Sequence, residues 1–106
     1  MMKMEFTFDP AAVKRRGYTM ESVYRTVKEE FDECNLPCIA DGEVLAFGST
    51  GHKNDYSSML GMMRVFSKSE WFMDVAASWW FTTNEVLGWE DVLAAAKEHN
   101  QKRVIA

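Results

Sequence analysis

Ser69-Glu70-Trp71-Phe72-Met73-Asp74-Val75-Ala76-Ala77-Ser78-Trp79-Trp80-Phe81-Thr82-Thr83 holds three of the chain's four tryptophans and two of its seven phenylalanines. Two periodicities compete within it. Trp71, Met73, Val75, Ala77, Trp79 and Phe81 alternate as one face of a strand, whereas Phe72, Val75, Ala76, Trp79 and Trp80 fit a helical stripe. The run Trp79-Trp80-Phe81-Thr82-Thr83 is aromatic and β-branched, residue types that suit a pleated, half-buried surface. It tips the expectation to a single strand over 70–82, whose second face carries Phe72, Asp74, Ala76, Ser78 and Trp80. Large aromatics then stand on both faces. One face is covered by the protein's own helices and the other, in part, by something else. Phe72, Asp74 and Trp80, joined by Trp89 beyond the strand, form the expected interaction surface.

Upstream, Lys3 to Phe8 alternates as a strand, with Met4, Phe6 and Phe8 on one face and Lys3, Glu5 and Thr7 on the other. Asp9 followed by Pro10 is a helix-start signature, and Gly17 stops that short helix after Lys14-Arg15-Arg16. These cations sit where the negative end of the helix dipole favours them. Lys14, Arg15 and Arg16, with Lys53 further on, are the candidate contacts for phosphate or nucleic acid; for the first three a solvated helix end is the preferred account. Thr19 caps a second helix striped by Val23, Val27, Phe31 and Cys34. Glu29, Glu30, Asp32 and Glu33 crowd its end as either a cation- or partner-binding face or a solvated surface.

Asn35-Leu36-Pro37 breaks that helix. Asp41-Gly42 between short apolar runs predicts a hairpin. The loop over 48–54 has glycines, hydroxyls and a lysine but lacks the spacing of a phosphate-binding loop. Asn54 or Asp55 caps a helix with Tyr56, Met59, Leu60, Met63 and Phe66 at helical spacing. After the aromatic stretch the chain turns over 84–88 into a last helix striped by Trp89, Val92, Leu93 and Ala96. The order strand, helix, strand, strand, helix, strand, helix predicts an α+β fold. Specifically, it predicts a ferredoxin-like βαββαβ antiparallel sheet with an extra C-terminal helix, in one domain over 1–106. Right-handed crossovers place the first and third strands centrally and the aromatic strand beside the first.

A chain of 106 residues, 47% apolar and 26% charged, has room for one core. No apolar run reaches the length of a membrane span. The first residues alternate and lack the apolar centre of a signal peptide, so a cytoplasmic location is expected. The net charge of −4 argues against nucleic acid. Cys34 and Cys38 read as reduced thiols, since their spacing is not that of the usual redox pair and no histidine pair completes a zinc site. Neither metal nor cofactor is expected. His52, Asp55, Cys38 and His99 are the titratable candidates for chemistry, and nothing in their spacing sets a nucleophile beside a base, so no enzyme is expected.

The runs Gly17-Tyr18-Thr19-Met20-Glu21-Ser22-Val23-Tyr24, Leu36-Pro37-Cys38 and Asp41-Gly42-Glu43-Val44-Leu45, with Trp71-Phe72 later, resemble small uncharacterised proteins carried on mobile, conjugative-type elements of gut bacteria. That resemblance implies a bacterial accessory protein and carries over no catalytic residue. The expected function is a non-enzymatic interaction module, a homodimer or a binder of a protein partner through its aromatic sheet face. The alternative is a single-stranded nucleic-acid-binding module, because aromatics on an open sheet are stacking platforms.

Overall fold

The computed structural model describes residues 1–105. Strand β1, Lys3–Phe8, keeps its alternation residue by residue, with Met4, Phe6 and Phe8 buried and the intervening side chains half-buried. Helix α1, Pro10–Arg15, begins as its residues dictate: the Asp9 carboxylate accepts a 3.0 Å hydrogen bond from Ala11 N, and Pro10 fills the first position. Helix α2, Met20–Glu33, opens with a reciprocal cap, Ser22 N donating to Thr19 Oγ1 and Thr19 N to Ser22 Oγ. Asn35, left-handed at φ 58°, turns the chain out of α2 while Leu36 N returns to Phe31 O. Strands β2, Cys38–Asp41, and β3, Leu45–Gly48, form the predicted hairpin, with Glu43 and Val44 in its connection. Helix α3 spans Asp55–Ser67.

The aromatic stretch is two elements, which corrects the single strand expected over 70–82. Helix α4 takes Glu70–Val75 and strand β4 takes Ala76–Thr82, with no residue between them. The reason is the partner strand. The β1–β4 ladder runs out at Phe8 opposite Ala76, because Asp9-Pro10 turns β1 into α1 and proline has no N–H to continue a ladder. Backbone groups before Ala76 therefore have no strand to pair with and are satisfied within a helix instead. Asp9 N donates to Val75 O at 2.8 Å and closes the junction. On that helix Phe72 and Val75, three residues apart, both turn inward and are fully buried.

Beyond β4 lie a 3-10 turn, Glu85–Leu87, a two-residue strand β5, Glu90–Asp91, and helix α5, Val92–Ile105. Trp89, Glu90 and Asp91, expected inside the last helix, precede it; Asp91 Oδ1 accepts from Ala94 N as its cap. The sheet order is β2-β3-β1-β4-β5, antiparallel throughout. The α+β class holds, with β1 between the hairpin and the aromatic strand. The five-stranded order departs from the four-stranded arrangement expected.

Side chains of α2, α3, α4 and α5 join Met4, Phe6, Phe8, Phe47, Trp79 and Phe81 in one apolar cluster on one side of the sheet. Helix α5 packs there too, against β4 and α3. The opposite sheet face, with Lys3, Glu5 and Thr7 of β1 beside Thr82, Trp80 and Ser78 of β4, is left without a helix among the described residues. Replacing Phe72 by Ala is expected to lower the unfolding free energy by about 3–5 kcal/mol. Trp80→Ala should cost less than about 1 kcal/mol. Urea titrations followed by circular dichroism compare the two, and equal costs would contradict the helical placement of Phe72.

Candidate functional site

Cross-strand register builds the open face. Trp80, 37% exposed, lies opposite Glu5 on β1 and opposite Asp91 on β5. Glu5 and Asp91 are thus the cross-strand neighbours of this residue, and the Asp91 carboxylate is engaged by Ala94 N at the start of α5. Beside this row the hydroxyls of Thr7 and Ser78 are bonded at 2.6 Å, and Lys3 is engaged by Glu85. A nucleic-acid strand stacked on Trp80 would have Glu5 and Asp91 as neighbours in place of the basic groove such strands need.

The four residues expected to form one interaction surface are not brought together. Phe72 is fully buried in the core and is withdrawn from any surface. Asp74 lies on α4, where Arg16 Nε donates to its Oδ2 at 2.6 Å. The hydrogen bond from Arg16 holds the Asp74 carboxyl below its ordinary value, and the same bond raises the guanidinium. The four candidate phosphate contacts are divided as well. Arg16 is committed to Asp74, and Lys14 and Arg15 stay exposed at the end of α1. Lys53 follows β3 at the other end of the sheet, where Gly48 pairs with Lys3.

Trp89 belongs to a different place. It lines a cleft of about 410 Å³ with Tyr56 and Leu60 of α3 and with Phe81 and Leu87. Beside the cleft, Val86 is 90% exposed and Leu87 80%. Their turn is held firmly: Val86 N donates to Asn84 Oδ1 at 3.0 Å, Leu87 N to Asn84 O at 2.8 Å, and Thr82 Oγ1 to Gly88 O at 2.6 Å. Gly88 at φ 95° takes a backbone conformation that side chains disfavour. Sequence reasoning passed over Val86 and Leu87 as turn residues. The available signal was an apolar pair inside a turn, where no periodicity calls for one.

A second cleft, about 480 Å³, brings Cys34 at the end of α2 together with His52, Asp55 and Ser58. Cys38 is exposed on β2 and His99 is exposed on α5; neither lines this cleft. Asp55 Oδ2 accepts from Thr50 N at 2.7 Å, from His52 N at 3.1 Å and from Thr50 Oγ1 at 3.3 Å. Burial pushes the Asp55 carboxyl upward, but these donors and Gly51 N together outweigh it and the net direction is down. The glycine-containing loop thus closes around its own carboxylate, and those amides are not free to cradle a phosphate. His52 Nδ1 accepts from Asn54 N at 3.1 Å, leaving Nε2 as the N–H. Burial, then Glu33 and Glu30, push the Cys34 thiol up, away from the reactive thiolate. Among the described residues no three metal-ligating side chains cluster, and no helix is long and apolar enough to cross a membrane.

No protein-family model matches this chain, and no curated protein matches it. Its functional reading therefore rests on its own chemistry.

Because the folded Asp55 carboxyl lies below its unfolded value of about 3.9, its stabilising effect is present above that pH and is lost as pH falls through the folded value. Asp55→Asn should be less stable than the parent at neutral pH, and the gap should close below about pH 4, as read by urea unfolding across pH. Cys38 should react with a thiol reagent well before Cys34 in the native protein, with peptide mass spectrometry reporting the order.

Proposed function

We propose that this chain is a non-enzymatic interaction module that acts as a homodimer. The observation that carries this reading is the pair of nearly naked aliphatic side chains, Val86 and Leu87, on a hydrogen-bonded turn beside a cleft that Tyr56, Leu60 and Trp89 share with Thr83 and Glu90. With Tyr56, Leu60 and Trp89 they expose on the order of 500 Å² of mostly apolar surface, comparable to the largest patch on a typical monomer and a usual mark of an interaction site. The absence of enzymatic activity is supported by the Cys34–His52–Asp55 cleft. Its carboxylate is used up on loop amides, its thiol is held protonated, and its imidazole already accepts a backbone N–H.

The position of β1 between β3 and β4, with β2 outside β3, supports a ferredoxin-like sheet to which β5 and α5 have been added. An accessory role in the bacterial cytoplasm, on a mobile element, is the setting that the resemblance of the sequence implies. A nucleic-acid-binding reading would rest on Trp80, and Glu5 and Asp91 on either side of it oppose that use. Multi-angle light scattering over a concentration series tests the proposal: a mass near twice the 12.2 kDa of one chain is expected. One chain's mass at every concentration up to the millimolar range would overturn it.

A further inference from the structure

The cleft between α3 and β5 joins aromatic walls to an acid. Tyr56 and Leu60, one helical turn apart, come from one face of α3. On the sheet, Phe81 pairs with Glu90, so the two side chains stand on the same side and both line the cleft. Gly88, left-handed at φ 95°, turns the chain just before Trp89, which closes the wall. Neither Tyr56 nor Trp89 takes part in the ring contacts around Phe6, and both are well exposed.

Charge separates this cleft from its neighbours. The two beside α2 set Arg25 and Lys28 among their acids, and Asp41 in one of them is already engaged by Lys28. The cleft of Cys34 and His52 has its buried carboxylate consumed by loop amides. Between α3 and β5 no Lys, Arg or His lines the wall, and among the described residues Glu90 enters no ion pair. Lys3, which reaches the adjoining turn, is held by Glu85. Aromatic faces and one unspent carboxylate around a hollow of about 410 Å³ are complementary to an organic cation.

Hydrogen-bonding capacity narrows the class. A primary ammonium brings three N–H donors that each need an acceptor. Here Thr82 Oγ1 already donates to Gly88 O and accepts from Asn84 N, so little acceptor capacity is left besides Glu90. A fully methylated ammonium has no N–H to satisfy and loses less on leaving water.

We infer that this cleft binds a quaternary ammonium headgroup, with Tyr56 and Trp89 as aromatic walls and Glu90 as the counter-charge. The inference does not rest on self-association, and the mass of the protein in solution leaves it untouched.

Titration with choline, followed by the shift of the Trp89 indole N–H in nuclear magnetic resonance spectra, tests it. Trp89→Leu assigns the signal, and thermal melts confirm that each variant folds. Choline is expected to bind with a Kd on the order of millimolar, and its uncharged carbon isostere dimethylbutanol and its primary counterpart ethanolamine at least about tenfold more weakly. Glu90→Gln should weaken choline at least about fivefold, whereas Trp80→Leu, on the opposite sheet face, should leave it unchanged. A trimethyllysine peptide that binds more tightly than choline would place the headgroup on a modified protein, and the reverse order on a small molecule. No shift with choline or the peptide up to about 100 mM overturns the site, as does equal binding to Glu90→Gln. Dimethylbutanol binding as well as choline overturns the cationic reading, and ethanolamine doing so overturns the restriction to methylated ammonium.

Discussion

The ring of Phe6, at the centre of the central strand, is the fixed point of this molecule. It packs edge-on against Phe31 of α2, Phe47 of β3, Phe66 of α3 and Phe72 of α4, and stacks with Trp79 of β4 at 5.9 Å. Edge-to-face and offset arrangements are those the aromatic quadrupole favours, so one side chain sets the orientation of rings from five other elements. Phe31 and Phe47 stack on each other at 3.9 Å, which ties α2 directly to the hairpin. The packing has a cost: Trp79 Nε1 is buried without an acceptor, and an unmet donor of that kind costs about 1–3 kcal/mol. The contacts of Trp79 with Phe6, and with Phe72 at 5.1 Å, run against that cost.

The same hub explains why the two faces of the sheet differ so sharply. Helices α2, α3, α4 and α5 all bring apolar residues to the Phe6 side, and the remaining face carries Lys3, Glu5, the bonded hydroxyls of Thr7 and Ser78, and the indole of Trp80. Phe72 is central to this asymmetry. In a strand it would have stood on the open face with Trp80; in α4 it turns inward to meet Phe66 at 4.6 Å. The surplus of aromatic surface that a continuous strand would create is largely absorbed by the helix, and what is left exposed shifts to the edge beyond β4.

Local signals were legible where the physics is local. Asp9-Pro10 and Thr19 cap helices through contacts within three residues, Asp41-Gly42 closes a hairpin, and the alternation of β1 is its burial pattern. The boundary between α4 and β4 was not legible, because both periodicities run through Trp71 to Trp80. What decides between them is Pro10, distant in sequence, which ends the strand that residues 70–75 would have needed as a partner. β5 escaped for a related reason: two exposed residues have no period, and only their pairing with Trp80 and Phe81 makes them a strand. The cleft shared by Cys34, His52 and Asp55 depends on how α2 and the loop before α3 meet in space, which spacing along the chain does not encode.

Val86 and Leu87 bear on the difference between a residue the fold needs and a residue the fold presents. Neither enters the apolar cluster, so the core gains nothing from their being aliphatic. A plain connection from β4 to β5 would be served by polar turn residues, which hydrate without penalty. Instead the turn is pinned by Asn84, by the buried Thr82, and by the Lys3–Glu85 pair, so that the backbone carrying two outward apolar side chains is held in one geometry. Rigidity at an exposed apolar site does little for a monomer's solubility, but it removes in advance the conformational entropy that a binding surface otherwise loses on contact. The hydrogen bonds around Asn84 therefore make more physical sense as support for an association surface than as support for the fold.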